Sequence, residues 1–235
     1  MLSNLISAIA SGDNARIGTT LVVFLFYLIA ILLSLSVHEA AHGFVAYKCG
    51  DPTAKNLGRI TLNPLKHMDP FGFLCMMIAG FGWAKPVPVN SRNLNKPRRD
   101  MALVSIAGPI SNILLSVLFV AILRISYVPI NEAMIKYYLA SNTFAYTLLV
   151  CAEQFISIMI TMNITLAIFN LLPIPPLDGS KLMYMLLPPK VYFKIAPYEK
   201  YISLVLIILL VTDIITPVIS LISNSVTNFL LSIFF

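Results

Sequence analysis

Three side chains within five positions, His38, Glu39 and His42, carry the clearest chemistry in this sequence. They stand in Val37-His38-Glu39-Ala40-Ala41-His42-Gly43, an H-E-x-x-H pattern at the end of a long uncharged run. On a helix, positions i and i+4 lie about 40° apart, so both imidazoles face one way and can share a metal ion. Glu39 sits beside them without being a ligand, placed to take a proton from a water that the metal activates. A catalytic zinc ion takes three protein ligands and keeps one position open, so a further ligand must come from elsewhere.

Asp178 is the best candidate for that ligand. It follows Asn170-Leu171-Leu172-Pro173-Ile174-Pro175-Pro176-Leu177, where three prolines stop a long helix and expose backbone groups. Irregular backbone at membrane depth is tolerated only where protein buries it or a wet cavity adjoins it. A plain carboxylate at a helix boundary is the alternative reading of Asp178. Glu132 and Glu199 are poorer third ligands, since Glu132 falls on the outer side and Glu199 lacks any Pro/Gly-framed motif.

The elements that position these groups belong to a membrane protein. Only 11% of the 235 residues are charged and 58% are hydrophobic, which excludes an ordinary soluble domain and a disordered chain. Three cysteines exclude a disulfide scaffold. Crossing hydrocarbon takes about 20 apolar residues. Spans are expected at about 17–47, 101–124, 143–172 and 201–216, with 217–235 a weaker last segment. The shorter run 70–84, broken by Gly72, Gly80 and Gly82, reads as re-entrant. The expected fold is an all-α polytopic membrane protein of about four to six transmembrane helices. A short β-hairpin or re-entrant element over 57–90 would lie near the active site. The whole chain, 1–235, reads as one membrane-embedded domain with its core at 17–216.

Nine of the sixteen Lys and Arg residues fall in 48–100, and Lys181, Lys190, Lys194 and Lys200 follow the third span. An out-to-in first span therefore gathers thirteen basic residues in the cytoplasm and leaves Arg16, Arg124 and Lys136 outside. The net charge of +6 is thus a topology signal, and no nucleic-acid partner is expected. It also puts Asp178 on the membrane side of His38 and His42. No convincing cleaved signal peptide precedes the first span.

Three motifs in order, His-Glu-Ala-Ala-His at 38–42, Ala-Gly-Pro-Ile-Ser-Asn at 107–112 and Asn-Leu-Leu-Pro-Ile-Pro-Pro-Leu-Asp-Gly at 170–179, resemble the site-2 protease family of intramembrane zinc metalloproteases. Gly58-Arg59-Ile60-Thr61-Leu62-Asn63-Pro64 and His67-Met68-Asp69-Pro70 are similar to compact bacterial members without a PDZ insertion. The resemblance covers about residues 30 to 190. It implies one zinc ion held by His38, His42 and Asp178, Glu39 as general base, and Asn170 on the substrate backbone or oxyanion. Its motif also draws Asn112 towards the site as a second substrate or oxyanion group, and hydrogen bonding across helices is expected of it. The implied activity is hydrolysis of peptide bonds in or near transmembrane segments of protein substrates. The implied setting is a bacterial or archaeal plasma membrane, with the active site towards the cytoplasm.

A transmembrane substrate must be locally unwound to be cut. Residues 57–63 and 85–90 look extended, and either could supply a strand edge to it. Glu153 reads as structural or as the outer end of the third span, and His67 as a loop histidine rather than a further ligand. Cys49, Cys75 and Cys151 read as apolar fillers, and Asp213 in the fourth span has no evident partner. The rival reading is a non-hydrolytic metal-binding membrane protein, either a transporter or a degenerate scaffold. A transporter would line a path through both membrane halves, and a scaffold would have no use for Glu39.

Overall fold

A computed structural model describes residues 2–79, 82–187, 191 and 194–235. Its helices are α1 (Leu2–Ser11), α2 (Asn14–Lys48), α3 (Thr53–Asn56), α4 (Pro70–Ala79), α5 (Pro97–Leu139), α6 (Thr143–Leu171), α7 (Asp178–Leu186), α8 (Glu199–Val211) and α9 (Thr216–Phe234). Four of them, in α2, α5, α6 and α9, are long and apolar enough to cross a membrane. The 43 residues of α5 run for about 65 Å at 1.5 Å per residue. That is twice the roughly 30 Å of hydrocarbon, so α5 continues well past the expected span 101–124. The expected span 201–216 differs too. It becomes the 13-residue α8, about 20 Å long and too short to cross. The weaker segment 217–235 supplies the long helix instead.

The burial pattern inverts that of a soluble bundle. Leu21, Leu25, Ile29 and Leu33 form an exposed stripe at i, i+4 spacing on α2. Ser34, Ser36, Ser105, Asn112, Ser116 and Asn163 are buried between helices. Lipid is as apolar as leucine, so apolar faces gain nothing by leaving it. Small and hydrogen-bonding residues therefore take the helix interfaces. Helices α5 and α6 form an antiparallel hairpin with α2 laid against both. Ala30, Ile158 and Met159 lock α2 to α6. Val120, Ile160 and Ile164 meet Leu230, Leu231 and Phe234 of α9. Arg124 Nε donates to the Phe234 carbonyl at 2.9 Å, which places the end of α9 beside the middle of α5.

The β-hairpin expected within 57–90 is not formed among the described residues. One isolated antiparallel bridge joins Met68 to Ala84. The short α4 packs as a 10-residue helix, too short to span. Segment 85–90 forms no strand with the other described residues. Pro86 and Pro88 have no N–H to contribute to a ladder, and side chains hold the Lys85 and Pro86 carbonyls and the Val87 and Asn90 N–H groups. Asp213 lies in the turn between α8 and α9 rather than in a span, where its Oδ1 accepts from Thr216 Oγ1 at 3.0 Å.

Candidate metal centre

The site sits where α2, α5, α6 and α7 meet. His38 and His42 occupy one face near the C-terminal end of α2, and both are buried. Asp178 opens α7. The prolines 173, 175 and 176 end α6, and Gly179 lets α7 fold back onto that end. A Cβ at Gly179 would overlap the carbonyl oxygens of Leu171 and Leu172. Asp178 thereby reaches α2 across 140 residues of sequence. His38 Nε2 and His42 Nε2 lie 3.1 and 3.0 Å from Asp178 Oδ2 and 3.0 Å from each other.

The opposite ring nitrogens fix the tautomers. His42 Nδ1 lies 2.6 Å from the Val104 carbonyl, which can only accept, so Nδ1 carries the hydrogen. His38 Nδ1 lies 2.6 Å from Asn112 Oδ1. Asn112 Nδ2 donates to the Ser34 carbonyl at 3.3 Å and to Asn163 Oδ1 at 2.8 Å. Asn163 Nδ2 donates in turn to the Met159 carbonyl at 2.8 Å. Each carboxamide is oriented by a carbonyl, so His38 is left with hydrogen on Nδ1 and a lone pair on Nε2. Three electron-rich atoms this close repel one another unless a cation lies among them.

The donor set fits a metal ion. Among the described residues, His38, His42 and Asp178 are the one group whose ligand atoms converge this way, all within 4.8 Å. The triangle they make is small enough for one ion to reach every corner at about 2.0–2.2 Å, the usual zinc distance to nitrogen and carboxylate oxygen. Space is reserved for it by Gly108 of α5, where a Cβ would stand 2.5 Å from both Nε2 atoms. Lys181 Nζ donates to the other carboxylate oxygen, Asp178 Oδ1, at 3.0 Å, a cation that supports the ionised carboxylate.

Glu39 points to another side of α2. Its Oε2 accepts the Val87 N–H at 2.8 Å, and the residue is half-buried. Asn112 lies behind His38, with Oδ1 on its Nδ1. Asn170 is turned onto its own helix, where Nδ2 donates to the Leu166 carbonyl at 2.9 Å. His67 stays outside the cluster, buried with Nε2 on the Thr61 carbonyl at 2.8 Å. The three cysteines are free and half-buried, and Glu153 lies half-buried within α6. Asn163 escaped the sequence reading, although a carboxamide at hydrocarbon depth signals a needed partner. The Val104 carbonyl and the Val87 N–H are backbone groups with no sequence signal.

Fold and site together define a multi-pass helical membrane protein with a buried His-His-Asp metal centre. Residues 26–212 match Peptidase family M50. The chain belongs to that family and is a metalloprotease. It is 44% identical over 195 residues to the "Putative zinc metalloprotease YwhC" of Bacillus subtilis, covering 80% of this chain and 81% of that protein. It is 29% identical to the "Putative zinc metalloprotease Rip2" of Mycolicibacterium smegmatis, over 86% of this chain and 73% of that protein. The same identity holds to the protein of that name from Mycobacterium tuberculosis, over 80% and 67%. No solved structure matches.

Proposed function

We propose that this chain is a zinc-dependent intramembrane endopeptidase that cuts transmembrane segments of protein substrates near the cytoplasmic face. The convergence of His38 Nε2, His42 Nε2 and Asp178 Oδ2 carries this reading, and the zinc metalloprotease names of the relatives support it. His38, His42 and Asp178 would hold the ion. Zinc bound there supplies a polarised scissile carbonyl and a water whose pKa falls to about 7. Glu39, one position from His38, accepts the proton of the attacking water and delivers it to the leaving amide nitrogen. Asn170 would serve the substrate backbone by releasing the Leu166 carbonyl. The Lys and Arg bias supports a cytoplasmic side for this end of the bundle.

An apolar groove between α2, α4 and α6 supports the choice of substrate. Phe24, Tyr27, Leu28, Ile31, Met76, Met77 and Met162 line it. Methionines adapt to irregular apolar guests. A transporter would need ligand groups in both membrane halves, and the cluster found lies at one end of α2.

The test compares wild type with Glu39→Gln in bilayers. Bound zinc is measured, with cleavage of a fluorescent synthetic peptide whose apolar segment of about 20 residues has a central Asn-Pro pair. Equal zinc and lost cleavage are expected. Undiminished cleavage by Glu39→Gln would overturn the mechanism, and absence of zinc from both proteins would overturn the metal assignment.

A further inference from the structure

We infer that segment 85–90, clamped by Arg59, is the device that positions Glu39 for proton transfer. This rests on Glu39 being the general base. Val87 is the one residue of Pro86-Val87-Pro88 with a backbone N–H. That donor is spent on Glu39 Oε2 at 2.8 Å, which leaves Oε1 as the atom that receives the proton. The Val87 side chain is buried against α2 one turn further on, where a Cβ on Gly43 would stand 3.3 Å from Val87 Cγ1. The prolines on either side fix φ near −65° and stiffen the segment.

Arg59 holds this strap from its carbonyl side. Its Nη2 donates to the Lys85 carbonyl at 2.7 Å and lies 3.3 Å from that of Pro86. The guanidinium is buried, and among the described residues it pairs with no carboxylate. A buried cation is costly without partners. Here its hydrogen bonds go to the two carbonyls preceding the donor to Glu39. The Lys85 N–H donates to the His67 carbonyl at 2.8 Å, and the Asn90 N–H donates to Asp51 Oδ2 at 2.7 Å. Both ends of the strap are therefore tied, with the Val87 donor between them. Arg59 never touches the metal ligands in this arrangement. It is a positioning residue acting through Val87 on Glu39.

Arg59→Met and Arg59→Lys are prepared as full chains, with an amide-to-ester exchange at Val87 that replaces its N–H by an oxygen and leaves every side chain in place. Zinc content, thermal midpoint, kcat and KM on the same fluorescent peptide are measured beside wild type and Glu39→Gln. The expected result is retained zinc, KM within about twofold and kcat lowered about 10- to 100-fold, the usual cost of losing a supporting partner. Arg59→Lys should recover part of the kcat lost in Arg59→Met, since an ammonium reaches carbonyls but lacks the fork. The ester variant decides the matter even if Arg59→Met fails to fold. Wild-type kcat in the ester variant overturns the inference, whatever Arg59→Met shows. Cleavage retained by Glu39→Gln overturns instead the reading beneath it. Loss of cleavage there with full activity in the ester variant overturns this inference alone.

Discussion

His38 Nε2 and His42 Nε2 stand 3.0 Å apart on successive turns of α2, with each opposite ring nitrogen bound to a group on α5. Helix α2 supplies the pair, and helix α5 decides which nitrogen of each ring is free. Metal affinity in this arrangement belongs to the helix interface as much as to the H-E-x-x-H pattern.

Gly108→Ala separates those contributions. Alanine favours a helix over glycine by about 1 kcal/mol, so the isolated effect on α5 is stabilising. The new Cβ would stand 2.5 Å from both Nε2 atoms. A helical, membrane-inserted protein with little bound zinc and little cleavage is expected. Circular dichroism with zinc analysis checks it, and normal zinc content would show that the helices separate to make room.

Asn112→Leu keeps the volume and removes the acceptor for His38 Nδ1. It also leaves the Asn163 carboxamide without its buried donor. Zinc affinity should fall about 10- to 100-fold, as for other outer partners of ligating histidines. A competing chelator titration measures it, with a wild-type curve as the opposing result.

Lys181→Gln tests the support of Asp178. The lysine is 44% exposed at its side chain, so solvent screens the pair and the effect should be small. Zinc affinity within about tenfold of wild type is expected. Lys181→Glu should be worse, because it sets a second carboxylate beside Asp178. Equal chelator titrations for the two variants would contradict this account.

Asp51→Asn tests the far anchor of the strap. Burial raises the pKa of Asp51, but the hydrogen bonds from Thr53, Asn93 and the Asn90 N–H outweigh it and hold it below the ordinary 3.8. A depressed folded-state value means stability that is full above the unfolded pKa and lost as pH falls through the folded one. The variant should melt below wild type at pH 7. The gap should narrow only below about pH 3.8, read by thermal unfolding in detergent from pH 7 to 3. A gap unchanged at pH 3 would remove the carboxylate charge from the explanation.

The sequence by itself determined the kind of protein and the candidates for its reactive groups. Scarce charge admits few solutions other than membrane helices, and His38, Glu39, His42 and Asp178 are too costly at that depth to lack partners. It ranked 201–216 above 217–235, because hydropathy cannot see that the turn at Asp213 stops α8 at 13 residues while α9 winds on for 19. It expected a hairpin in 57–90, because extended-looking residues do not say what will take their hydrogen bonds. Tertiary structure decided that Arg59, Glu39 and Asp51 would take them. It also decided that Asn112 and Asn163 would set the proton on His38, and that Gly108 would leave room between the rings. Those outcomes depend on which atoms come within about 3 Å across 26 to 74 residues of chain, a distance that helical periodicity and motif spacing do not encode.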